Sequence, residues 1–121
     1  MSRPEGARLS TSQDFSIETA VGDTGDLAVV VRGDLDMSTA PDLALTLGRV
    51  GQGQSIVTLD LSEVTFIDSS ALVALVTSGR ELTERGARLR IGPRSEVVAK
   101  VLEITQLDQQ SDAFEVLPDP T

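Results

Sequence analysis

Residues 56 to 85 constrain the fold more tightly than any other stretch of this chain. Ile56, Val57 and Leu59 form a short, β-branched and apolar run after a Gly/Gln loop, the pattern of a buried strand. By Asp68 the pattern has changed to that of a helix. Asp68 is a favourable N-cap, and Ser69 and Ser70 fall in the first turn, where backbone N–H groups lack helical partners. Gly86 supplies the stop, with Arg85 in the last turn.

The helix has a usable period. Leu72, Leu75, Val76, Gly79 and Leu82 recur at i, i+3, i+4, i+7 and i+10, which is one face. With Leu72 at the centre of that face and a step of about 100° per residue, Ser70 is expected nearly opposite the core and Ser69 nearer its edge. Ala74, Thr77 and Glu81 share the outer face with Ser70, and Val73 lies on its flank. The expectation is a serine presented to solvent at a helix N-terminus, beside a small apolar patch.

The remaining elements follow in order. Met1 to Thr11 is polar and reads as a flexible N-terminal segment, 1–11. Phe15 to Val21 alternates apolar and polar, a half-buried strand. Gly22 to Asp26 is turn chemistry, and Leu27 to Arg32 is a second strand, an antiparallel hairpin partner by its spacing. Asp34-Leu35-Asp36 leaves that strand. Ser38 or Thr39 caps a helix with Pro41 in its first turn, Leu43, Leu47 and Val50 on its inner stripe, and Gly51-Gln52-Gly53 at its end. After the central unit, Arg88 to Ile91 is a strand, Gly92-Pro93 a break, and Ser95 the cap of a helix with Val97, Val98, Val101 and Leu102 apolar. Thr105 to Asp112 is a polar connection, Ala113 to Leu117 a last strand, and 118–121 a tail. The order β-β-α-β-α-β-α-β implies one α/β domain, 12–117, with a mixed sheet and helices packed mainly on one side.

Composition narrows the function. The chain has 121 residues, enough for a single core. It contains three Phe and no Trp or Tyr, so that core must be aliphatic. Without Cys or His it has no disulfide framework, no thiolate ligand, and neither the commonest general base nor the commonest metal ligand. Metal and cofactor sites are therefore not expected. A net charge of −9 argues against nucleic acid, which needs a basic footprint. No apolar run approaches ~18 residues and the N-terminus carries no apolar signal segment, so the expectation is a cytoplasmic protein away from the membrane. Arg80, Arg85, Arg88, Arg90, Arg94 and Lys100 cluster late in the chain, but acidic residues 81, 84, 96 and 103 interleave with them, the pattern of a solvated, ion-paired surface.

The stretches Leu59-Asp60-Leu61-Ser62 and Phe66-Ile67-Asp68-Ser69-Ser70-Ala71-Leu72 resemble the bacterial anti-sigma factor antagonists, which are single STAS domains. Val29-Val30-Val31-Arg32-Gly33-Asp34-Leu35-Asp36 is similar to the family's early strand and Gly-Glu-Leu-Asp turn, and Ala87 to Ile91 with the helix Ser95 to Glu103 is similar to its late strand and helix. Ala71 and Val73 stand where the family commonly has glycine, and Asp34 where it commonly has glutamate. The resemblance implies a non-enzymatic binding switch. The unmodified protein would bind an anti-sigma factor with serine kinase activity and so release a sigma factor. Phosphorylation of Ser70 would end the complex, and a serine phosphatase would reset it. The partner surface is expected at Asp36, Asp68, Ser69, Ser70, Ala71, Val73, Ala74 and Thr77, on a monomer or weak dimer.

Each feature has a plainer reading. Asp68, Ser69 and Ser70 are what an ordinary capped helix uses, scattered surface apolarity covers Val73, Ala74 and Thr77, and Asp34 and Asp36 suit a solvated turn. A non-switching STAS module of a signalling or transporter complex is the alternative. A haloacid-dehalogenase-like phosphatase using Asp34 and Asp36 meets a mismatch at Ser38 and lacks a downstream acidic metal motif. A phosphoacceptor receiver domain using Asp60 lacks the acidic pair after its first strand, and Lys100 sits inside a predicted helix.

Overall fold

In the computed structural model, residues 8–12, 15–22, 26–50, 55–108 and 111–118 are described. These residues form β1 (Arg8–Ser12), β2 (Phe15–Val21), β3 (Leu27–Leu35), α1 (Ala40–Val50), β4 (Ile56–Ile67), α2 (Ser69–Glu84), β5 (Arg88–Arg94), α3 (Glu96–Ile104) and β6 (Glu115–Val116). The six strands make one sheet in chain order. β1, β2 and β3 are antiparallel neighbours, and β3, β4, β5 and β6 run parallel. Because the parallel strands are added in one direction, right-handed crossovers put α1, α2 and α3 on the same face.

The pleat separates that face from the other. Ile17, Val29, Val31, Val57, Leu59, Leu89 and Ile91 are buried, and cross-strand pairs Ile17↔Val31, Val29↔Leu59 and Leu59↔Ile91 line them up beneath the helices. The alternate positions Ala28, Val30, Thr58 and Arg90 are only half-buried. On that open face Arg32 bridges Glu18 at 3.0 Å and Glu63 at 3.3 Å. The Glu18 hydrogen bond, with the charge of Glu63 beside it, holds the Arg32 guanidinium above its ordinary pKa. Leu43 and Leu47 of α1, Leu75 and Leu82 of α2, and Val98 and Leu102 of α3 close the aliphatic core from above.

Several boundaries differ from the expectations. Residues 8–11 of the segment expected to be flexible, together with Ser12, pair with β2 as an edge strand. β4 continues to Ile67 through Ser62, Glu63 and Thr65; two register shifts against β3 absorb the extra residues. β5 runs through Gly92-Pro93 to Arg94 instead of breaking. Pro93 lies past Ile91, the last β5 residue paired with β6, and between the β4 partners of Ile91 and Arg94 where the register slips, so its missing N–H costs little. β6 keeps only Glu115 and Val116 of the expected strand. The expected helix stop at Gly51-Gln52-Gly53, the centre of the Gly22–Asp26 turn and the tail beyond Pro118 lie outside the described residues, as does the side chain of Val50.

The late basic cluster is ion-paired in part, but with acids distant in sequence. Arg80 meets Asp112 at 3.4 Å and Arg90 meets Glu115 at 3.1 Å. Arg85 instead donates to the carbonyl of Gly48 at 3.0 Å, tying the end of α2 to α1.

Candidate partner-binding site at the start of α2

β3 and β4 end side by side, with Leu35 paired to Ile67. Each then leads into a helix, so α1 and α2 begin at the same end of the sheet. Hydrogen bonds tie the two strand-to-helix turns to each other and close the first of them. The Asp68 N–H donates to the Leu35 carbonyl at 3.1 Å, the Thr65 hydroxyl donates to Asp34 Oδ1 at 2.7 Å, and the Thr39 hydroxyl donates to the Asp34 carbonyl at 2.8 Å. Asp36 Oδ1 accepts from the Ser38 N–H at 2.9 Å, the Ser38 hydroxyl at 2.7 Å and the Thr39 N–H at 3.2 Å. The Ser38 hydroxyl is the main reason that the Asp36 carboxyl sits below its ordinary pKa. This closed turn leaves Met37 pointing out at 75% exposure.

Asp68 caps α2 as expected: its backbone is extended and its side chain accepts from the Ala71 N–H at 3.1 Å. The N–H groups of Ser69 and Ser70 are left at the positive end of the helix dipole. Neither serine hydroxyl bonds another described residue.

The rotation of α2 departs from expectation. Its buried residues are Ala71, Leu75, Ser78, Gly79 and Leu82, while Leu72 and Val76 are half-buried at the flank. The inner stripe is built on small residues that let the helix sit close to its neighbours. A Cβ on Gly79 would stand 2.1 Å from the carbonyl oxygen of Ala113. The expected stripe, centred on Leu72, shares Leu75, Gly79 and Leu82 with this one but is turned away from Ala71 and Ser78. Two corrections follow. Ala71 is 0% exposed and serves the core, so its side chain is not part of an outer surface. Ser69 is exposed and Ser70 is half-buried, the reverse of the expected order.

Ser70 instead faces α1 across a groove of about 350 Å³. Met37, Ala40, Pro41 and Ala44 form one wall; Ser70, Val73, Ala74 and Thr77 form the other, with Ser78 and Glu81 toward the far end. Val73, 64% exposed, stands on the outermost line of α2 with Ser69 and Thr77. Of the expected surface residues, Ser70, Val73, Ala74 and Thr77 are thus brought together. Asp36 reaches the site through the Met37 turn, and Asp68 through the cap. The α1 wall was missed from sequence, although Met37 followed by Ala40-Pro41 and Ala44 is a run of small or flexible residues at a helix start. None of the described residues lining the groove is basic, and no helix among the described residues is long and apolar enough to cross a membrane.

Comparison with known proteins places the chain in a family. The STAS domain family model matches residues 18–119. The anti-sigma-B factor antagonist of Listeria monocytogenes is 32% identical over 105 residues, spanning 85% of this chain and 89% of the relative. A crystal structure of an anti-sigma factor antagonist from Mycobacterium paratuberculosis superposes with a TM-score of 0.74 at 27% identity, covering 93% of this chain and 92% of that one. The phosphorylated form of the Bacillus cell fate determinant SpoIIAA shares the fold at a TM-score of 0.62 and 16% identity, over 84% and 91% of the two chains. The chain belongs to the STAS domain family, among the anti-sigma factor antagonists.

Proposed function

We propose that this protein is a partner-switching antagonist that binds an anti-sigma factor through the start of α2 and is released when that partner phosphorylates Ser70. One observation carries the reading: a serine hydroxyl that bonds no other described residue, in the first turn of an Asp-capped helix, on the wall of an apolar groove with no cation among its described lining residues. The family membership supports it, as does the existence of a phosphorylated form in a Bacillus protein of the same fold.

The physics of such a switch is local. Phosphate adds roughly −1.5 to −2 charge at neutral pH. Within the domain it would sit at a helix N-terminus, where anions are tolerated. Across an interface it would be desolvated beside Asp68, and a differential affinity of a few kcal/mol shifts the bound population strongly. The protein supplies the phosphoacceptor and the binding surface; the chemistry belongs to the kinase and to the phosphatase that resets it.

The test is phosphopeptide mapping after incubation with each serine-kinase anti-sigma factor of the host and ATP. The expected label is on Ser70, with Ser70→Ala unlabelled but still bound and Ser69→Ala labelled. Because Ser69 is the more exposed hydroxyl, the outcome is not set by access alone. Label on Ser69, or wild-type labelling of Ser70→Ala, overturns the proposal.

A further inference from the structure

The groove that Ser70 borders continues along α2 to Glu81. Eleven residues of helix separate the two, about 16 Å. On the α2 wall Ser70, Ala74, Thr77 and Ser78 are small side chains, and the α1 wall, Met37, Ala40, Pro41 and Ala44, is small or flexible, which leaves room between the helices for side chains from outside. Met37 and Val73 stand proud of it at 75% and 64% exposure. Methionine is the most adaptable of apolar lips.

The charges are one-sided. Glu81 is the charged residue among those lining the groove, and its carboxylate takes part in no ion pair or side-chain hydrogen bond with another described residue. Asp36 lies beside Met37 at one end and Asp42 in the first turn of α1. On a chain of net charge −9, a second copy of the same surface would be repelled.

Resting on the partner-switching reading above, we infer that the groove receives an amphipathic helix of the anti-sigma factor, its apolar side chains seated between α1 and α2 and a Lys or Arg beyond them paired with Glu81. The α2 wall from Ser70 to Glu81 offers about three turns to a partner helix, with anchors at i, i+3 or i+4 and i+7. The occupant is contiguous with Ser70, so a phosphate there closes one mouth of the channel while Glu81 holds the other.

The test is titration calorimetry against the anti-sigma factor that labels the wild-type protein, at low and high salt. Met37→Asp, on an exposed turn, and Ala74→Phe, which fills the channel, are each expected to weaken binding at least tenfold. Glu81→Lys should weaken it about tenfold at low salt and flatten the salt dependence, and exchange of the partner helix's basic residue for Glu should restore the affinity of Glu81→Lys. Leu45→Asp, on the same α1 but outside the groove at 61% exposure, should bind as the wild type does. Melting curves separate any misfolded variant, and Met37→Asp stands as the informative one if Ala74→Phe fails to fold. A wild-type protein that neither binds nor is labelled by any anti-sigma factor defeats the switching reading itself. Binding and labelling that survive intact in Met37→Asp and Glu81→Lys overturn the groove assignment alone. A wild-type dimer that Met37→Asp dissolves would likewise overturn it, in favour of a second copy of this chain.

Discussion

The two ends of α2 are built on opposite plans. At its start one carboxylate caps one N–H, two hydroxyls bond no other described residue, and β-branched Val73 faces outward. At its end every device is closed. The N–H of Gly86, at φ +87°, donates to Thr83 and that of Ala87 to Leu82 at 2.9 Å, a Schellman ending that satisfies the last carbonyls. Gly79 touches the backbone of Ala113, and Arg85 reaches across to Gly48. A helix anchored at one end can leave hydroxyls at the other without a structural partner, and the proposed phosphorylation would fall at that end.

The contrast can be broken most severely at the closed end. Gly79→Ala forces a methyl into the Ala113 carbonyl and should cost about 3 kcal/mol, the upper part of the overpacking range; chemical denaturation measures it, and a loss below about 0.5 kcal/mol would show that α2 can shift outward freely. At the open end Asp68→Ala should cost about 1 kcal/mol for the lost cap, with fraying confined to the first turn in amide exchange. Val73→Asp should change stability by less than about 0.5 kcal/mol, as exposed substitutions do, yet weaken anti-sigma factor binding. An unchanged affinity would remove Val73 from the contact surface.

The smallest effect is one of pH. The Asp36 carboxyl is held below its ordinary value by its turn hydrogen bonds. Its contribution to stability is therefore complete above the unfolded pKa of about 3.9 and is lost as the pH falls from there through the lower folded value. An NMR titration of the Asp36 carboxyl should show a midpoint below about 3.9. A midpoint at or above it means that the Ser38 and Thr39 contacts do not persist in solution.

Periodicity and end signals were enough to read most of this architecture. The span of β2, the cap at Asp68, the stop at Gly86 and the cap at Ser95 are all written in residue types whose backbone preferences are local. What escaped depends on neighbours. The rotation of α2 is decided by how closely Gly79 and Ser78 approach their surroundings, and hydrophobicity does not encode closeness. β4 continues past Ser62 and Glu63 because β3 shifts register to follow it, and Arg8–Ser12 becomes a strand only because β2 offers an edge. The second wall of the groove was illegible for the same reason: Met37 and Ala44 meet Ser70 only after β3 and β4 have been laid side by side.

The contact between Gly79 and Ala113 also limits what kind of messenger this domain can be. A helix wedged against neighbouring backbone resists being pushed inward, which argues against α2 as a moving part that would relay the modification proposed at Ser70. On the proposed switch the domain would act as a passive token, marked at its surface. Discrimination between the two proposed states would then fall on whichever protein reads the marked face.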